Sequence, residues 1–141
     1  MLLGIKRIYD KASITDGKRI LVDRLWPIGV RRSTSSIDIW LKDIAPSEEL
    51  RKWFNHDPKR WQEFKIKYIK ELQNNSALKN LRERIAVEDV TLIYTAKDNK
   101  RNNAVVLASL LKKSAPRKEE KKNISKTVSD DLERELRAAA Y

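Results

Sequence analysis

Three side chains in this 141-residue chain have the chemistry for proton transfer: Asp23, Asp98 and the single histidine, His56. Each of the two acids stands beside a cation, as Asp23-Arg24 and Lys97-Asp98, and each pair follows an apolar run. A carboxylate in such a setting can serve as a general base or an orienting group, while Arg24 or Lys97 neutralises a bound anion. His56 has the one side chain whose unperturbed pKa lies near neutrality, which makes it the natural proton carrier. It also precedes Asp57-Pro58, where a polar residue is expected beside a helix cap. Around these residues, Trp26 could wall an aromatic base. Arg31 and Arg32 belong to a basic, hydroxyl-rich stretch, residues 29–36, suited to clamping an anion. Asn102 and Asn103 fit helix capping, with hydrogen bonding to a ligand as the alternative.

The positions of these residues depend on the runs that precede them, RILVDRLWP (19–27) and VTLIYTAKDN (90–99). Continuous apolar stretches such as Ile20-Leu21-Val22 and Leu92-Ile93-Tyr94 are what parallel strands covered on both faces require. In open α/β sheets ligands settle beyond the carboxyl ends of the strands, so two strands running the same way would bring Asp23, Arg24, Lys97 and Asp98 to one rim. Each pair also has a structural reading: Asp23 and Arg24 as an ion pair with neighbouring elements, Lys97 and Asp98 as solvated loop charges.

The rest of the chain reads as strand, loop, strand, a long helical middle, strand, helix and tail. A first strand spans residues 5–9, and the turn signal Asp16-Gly17 ends the loop after it. That loop is too short for an ordinary crossover helix, so the first two strands either form a hairpin or lie apart in the sheet. Ser36 opens a short helix carrying Ile37, Trp40, Leu41 and Ile44, stopped by Pro46. Ser47 opens a second, with Glu48 and Glu49 in its first turn and Leu50, Trp53 and Phe54 as its apolar stripe. Asp57-Pro58 starts a third, on which Trp61, Phe64, Tyr68 and Leu72 share a face. Ser76 opens a fourth with Leu78, Leu81 and Ile85, and a last core helix runs from about 102 to 113. The fold class is therefore α/β: a small, mainly parallel sheet flanked by helices, occupying residues 1–111. Residues 112–128 read as a charged linker. Residues 129–141 read as a helical segment with Leu132 and Leu136 apolar, too short to be stable alone and suited to docking on the core or on a second copy.

Composition removes several functions. The chain has no cysteine, which excludes disulfides, thiolate nucleophiles and cysteine metal sites, and one histidine argues against a zinc centre. Three glycines supply neither a dinucleotide fingerprint nor a phosphate loop. No apolar run reaches the ~20 residues needed to span a bilayer, and the start MLLGIKRIYD leads into a strand, so a cytoplasmic protein without membrane contact is expected. The residues name no cofactor. Lys and Arg number 31 against 20 Asp and Glu, giving +11, and the excess extends through residues 1–111. Such a field favours anionic partners.

Three segments carry a family resemblance: VDRLWPIGV, WLKDIAPSEELRKWFNHDPKRWQEFKIKY and TLIYTAKDNKRNNAVVL. In this order they resemble the YeaO-like branch of the family known as domain of unknown function 488, over roughly residues 5–111. The resemblance implies a small α/β domain and no established activity. Members of that branch typically carry arginine after LWP, where this chain has Ile28, so no arginine binds an anion at that place. More distant relatives have a Cys-His-Arg element near the last strand and helix. Here the region holds Asn102-Asn103, and thiol chemistry does not carry over.

Two functions follow as expectations. One is binding of a small phosphorylated or nucleotide-like ligand at the rim, with hydrolytic or transfer chemistry open. The other is nucleic-acid binding through the basic surface, including Arg31, Arg32 and the lysine-rich tail. A protein-interaction domain is the third and blander alternative, with self-association through the C-terminal segment.

Overall fold

In a computed structural model, residues 2–113 form a four-stranded sheet and four α-helices. The proposed linker from 114 onward and the segment 129–141 lie outside the described residues, and so does the expected self-association through that segment. The strands are β1 (Leu3–Arg7), β2 (Lys18–Leu21), β3 (Ile39–Trp40) and β4 (Val90–Tyr94). Their spatial order is β1-β4-β2-β3, and every pairing is parallel. The first two strands therefore form no hairpin: β4 lies between them. The physical reason is burial, since all five residues of β4 are buried whereas those of β1 are half-buried. The most apolar strand takes a central place, where both of its faces are covered.

The register places Ile5, Leu92 and Ile20 in line on one face and Lys6, Ile93 and Leu21 on the other. Helices α1 (Glu48–Phe54), α2 (Trp61–Leu72), α3 (Ser76–Ile85) and α4 (Asn103–Lys113) supply the core against the first face. Phe54, Phe64, Tyr68 and Leu107 pack there with Ile20, Val22 and Leu92. Leu21, Ile93 and Ile8 on the opposite face are covered by Trp26, Val30, Ile37 and Trp40. A loop thus does on that face what a helix layer does in a doubly wound sheet.

The expected helix over residues 36–45 is not formed. Ser36 has φ of 56°, outside the extended conformation of a helix cap. Ile39 and Trp40 pair with Ile20 and Leu21 as the edge strand β3, and a 3-10 turn follows at Lys42–Ile44. Spacing of 37, 40, 41 and 44 mimics a helical face, but these residues are needed on both sides of the sheet. Ile39 and Ile44 join the helix-side core, while Trp40 meets Trp26 on the other side.

Local capping follows the sequence more closely. Ser47 Oγ accepts from Leu50 N–H at 3.1 Å, and the Glu71 carboxylate accepts from the N–H and hydroxyl of Ser47. The fourth expected helix is capped one residue early, by Asn75, whose Oδ1 accepts from Ala77 N–H. Under the loop-covered face, Asp16 is buried between Lys6 at 2.7 Å and Arg19 at 2.6 Å, a triad that fixes the entry to β2. Among the described residues no helix is long and apolar enough to cross a membrane.

Candidate functional site

Beyond the carboxyl ends of β2 and β4 the chain leaves a cleft of about 160 Å³. It is lined from the end of β2 with Asp23 and Arg24, the end of β4, the turn after α1 with His56, and the start of α4 with Asn102 and Asn103. Those five expected site residues converge. Arg51, Arg101 and Thr95 join them, and Leu25, Ala45, Pro46, Phe54, Phe64 and Ala96 supply apolar wall.

Asp23 is the polar centre of the floor. Its Oδ2 accepts from Thr95 N–H at 3.0 Å and from the Thr95 hydroxyl at 2.6 Å, and its Oδ1 accepts from Asn103 Nδ2 at 3.0 Å. The same Asn103 amide donates to the Val22 carbonyl at 2.8 Å. Burial raises the Asp23 pKa, while bonds from Thr95 and Asn103 and the nearby His56 pull it back. This carboxylate ties three segments together, and its lone pairs are largely spent on them. Asn102 is the helix cap expected of it: buried, it accepts from Val105 N–H at 3.0 Å and donates to the Asp98 carbonyl.

The cations around the cleft differ in how far they are committed. Arg24 donates from Nε to the Pro46 carbonyl at 3.2 Å and from Nη2 to the Ala45 carbonyl at 3.5 Å, and lines the cleft. Arg101 pairs with Asp98 at 3.3 Å. Arg51, in the last turn of α1, has no hydrogen-bonded or ion-paired side-chain partner among the described residues, and neither has His56. His56 is held there by backbone geometry. Asn55 and His56 are consecutive left-handed residues, with φ of 47° and 53°, that swing the chain round the cleft mouth after α1. Left-handed backbone in a non-glycine residue costs roughly 1 kcal/mol or more, and such strain concentrates at ligand sites.

The remaining expected residues fall elsewhere. Asp98 does not line the cleft: its carboxylate accepts from Lys100 N–H at 2.9 Å and Arg101 N–H at 3.1 Å. Those bonds, led by Lys100, hold its pKa below the ordinary value against the opposing effect of burial. Lys97 is exposed and also outside the cleft. Trp26 lies on the loop-covered face, its Nε1 donating to the Val30 carbonyl at 2.7 Å and its ring 5.3 Å from that of Trp40. The Arg32 guanidinium sits 5.0 Å from both rings, and Arg31 is exposed beside it. The idea of one rim joining both charged pairs thus gives way to a cleft built on the first pair alone. Asp98 organises a turn because the nearest donors to a short loop acid are the N–H groups two and three residues on.

Other placements offer less. A groove of about 350 Å³ between α2 and α4, floored by Ile66, Ile69 and Leu110, has Lys65 and Lys100 as its only titratable lining. Among the described residues no three His, Cys, Asp or Glu side chains come together as metal ligands.

Comparison with known proteins decides the family. A family model described as the inactive DUF488-N3 subclade matches residues 2–129. This chain belongs to the DUF488 family. Within it, the chain is 42% identical over 113 residues to the uncharacterised protein YeaO of Escherichia coli, covering 79% of this chain and 98% of that protein. It is also 42% identical over 107 residues to an uncharacterised protein of Mycobacterium tuberculosis, covering 76% and 91% respectively. No solved structure matches. The DUF488 match includes every residue of the cleft.

Arg51, Arg101 and Thr95 escaped the sequence reading. Arg51 is one cation on a helix whose apolar stripe carries the visible pattern. Thr95 offered a faint signal, as the first hydroxyl after the buried strand and so already at the sheet's carboxyl edge.

Proposed function

We propose that this DUF488 protein binds a small anion in the cleft beside Asp23 and does not turn it over. The observation that carries this reading is the pairing of a satisfied acid with an uncommitted guanidinium. Asp23 is consumed by Thr95 and Asn103, whereas Arg51 lines the cleft with no hydrogen-bonded or ion-paired side-chain partner among the described residues, together with His56, Arg24 and Arg101. A guanidinium offers paired N–H donors that match phosphate or carboxylate oxygens. A general base needs a free lone pair directed at the substrate, and Asp23 has little to spare. The family description as an inactive subclade supports binding over catalysis.

Thermal-shift and calorimetric titration with inorganic phosphate, nucleotides and phosphorylated metabolites tests this. Binding should weaken by about tenfold or more in Arg51→Ala, the loss of one charge-assisted contact. A wild-type protein indifferent to every anion at millimolar concentration would refute the reading.

Nucleic-acid binding is favoured by a different observation, the cluster of Arg32 and Lys42 over Trp26 and Trp40 on the opposite face. There the cations already cover the aromatic rings, so a stacking base would have to displace them. Steep loss of affinity with salt for single-stranded or duplex probes, unchanged in Arg51→Ala, would mark that second surface as the working one.

A further inference from the structure

The cleft's walls say more about its ligand than its charges do. Its floor is polar but already satisfied: Thr95 donates to Asp23, Asn103 Nδ2 uses both hydrogens on Val22 and Asp23, and Asn102 is committed at both ends. Above that floor the sides are apolar. Phe54 and Phe64 stack at 4.3 Å between ring centroids, and Leu25, Pro46 and Ala96 complete the wall. A sugar or polyol would bring hydroxyls that lose water and find few partners, at a cost for each group left unpaired. The size is equally selective. A cleft of about 160 Å³ is far below the ~300–1,000 Å³ of pockets for drug-sized ligands. An apolar cavity of about 150 Å³ takes a benzene molecule.

Resting on the anion reading above, we infer that the natural ligand of this cleft carries its phosphate or carboxylate on a compact apolar body of about one aromatic ring, and not on a sugar. The ring enters between Leu25, Pro46 and the edge of the Phe54–Phe64 stack. The anionic group stays at the mouth with Arg51 and His56. A ribose against the apolar wall would leave hydroxyls without partners.

Calorimetry or NMR titration of the full chain with inorganic phosphate, ribose 5-phosphate and phenyl phosphate holds the head group constant while the body changes. Phenyl phosphate should bind at least about tenfold more tightly than either of the others, as burial of one small ring allows. Arg51→Gln should weaken all three. Phe54 is a core residue whose replacement threatens the fold, so the wall is tested at Leu25, which is 61% exposed. Leu25→Asn should reduce the advantage of phenyl phosphate and leave inorganic phosphate unchanged. Equal affinities for the three probes, or preference for ribose 5-phosphate, would overturn the apolar body while leaving the anion site standing. An unaltered phenyl phosphate advantage in Leu25→Asn would overturn the placement of the ring. Binding of none of the probes would remove both this inference and the reading beneath it.

Discussion

If Asp23 is a clamp and not a catalyst, its removal should be felt first in stability. Asp23→Ala deletes the acceptor for Thr95 N–H, the Thr95 hydroxyl and one hydrogen of Asn103 Nδ2, all at 2.6–3.0 Å. Hydrogen bonds to a charged group are worth roughly 1.5–3 kcal/mol each, but three in one cluster do not add. Two effects reduce the sum. Burial already penalises the charged carboxylate, as its raised pKa records, and the half-buried position admits water to the orphaned donors. The expected loss is therefore about 3 kcal/mol, or on the order of 10 °C in Tm for a domain of this size.

Asp23→Asn sharpens the test. Its Oδ1 can serve Thr95, but its Nδ2 then meets the Asn103 amide, which cannot turn over without losing the Val22 carbonyl. About half the loss should remain, on the order of 1–2 kcal/mol. Anion affinity should hold or rise, since a negative charge beside the cations has gone. Urea titrations followed by tryptophan fluorescence give the stabilities. A loss below about 0.5 kcal/mol in Asp23→Ala would refute the clamp. Stable Asp23→Asn protein that no longer binds anions would move Asp23 to the ligand.

Acid should unfold the chain in part through Asp16, whose burial would raise its pKa but whose bonds with Lys6, Ser13 and Arg19 outweigh that and hold it at about 2 instead of 3.8. A depressed folded-state pKa contributes stability that is present above about pH 4 and lost as pH falls toward 2. Asp23, raised, works in the opposite sense and gains stability as it protonates. In Asp16→Asn the urea midpoint should flatten below pH 4, and an unchanged acid slope would clear Asp16 of responsibility. Gly17→Ala should cost more than about 2 kcal/mol, because φ is +64° and the new Cβ would lie 2.3 Å from the Asp89 carbonyl oxygen of the backbone; a melting temperature within a degree or two of wild type would contradict this. His56→Gly should stabilise the fold by roughly 1 kcal/mol through relief of its left-handed backbone. It should at the same time weaken anion binding, and a variant that binds as well as wild type would take His56 out of the site.

What the residues disclose in advance depends on how locally each one is determined. The buried strands and their parallel sense follow from unbroken apolar runs, and Asp23 and Arg24 follow from the rule that such strands end at ligand crevices. Residues 37–44 could not be settled this way. Ile37, Trp40, Leu41 and Ile44 repeat like a helix, and what decides the outcome is an open edge on β2, a partner far away in sequence. The site shows the same division between short and long side chains. Asp98, Asp57 and Asn102 have backbone N–H groups within two or three residues and bind them, so their apparent chemistry is absorbed into turns and caps. Asp23 meets its donors on two other segments and becomes a clamp. Arg51 binds no such neighbour, since the Glu48 carboxylate one turn back pairs with Lys52, and its reach carries the charge to the cleft. Arg51 is therefore an unremarkable residue of an exposed helix turn until α1, the left-handed Asn55–His56 corner and the end of β2 enclose a cleft. Asp23 is used in building that cleft, and the arginines around it give it its sign.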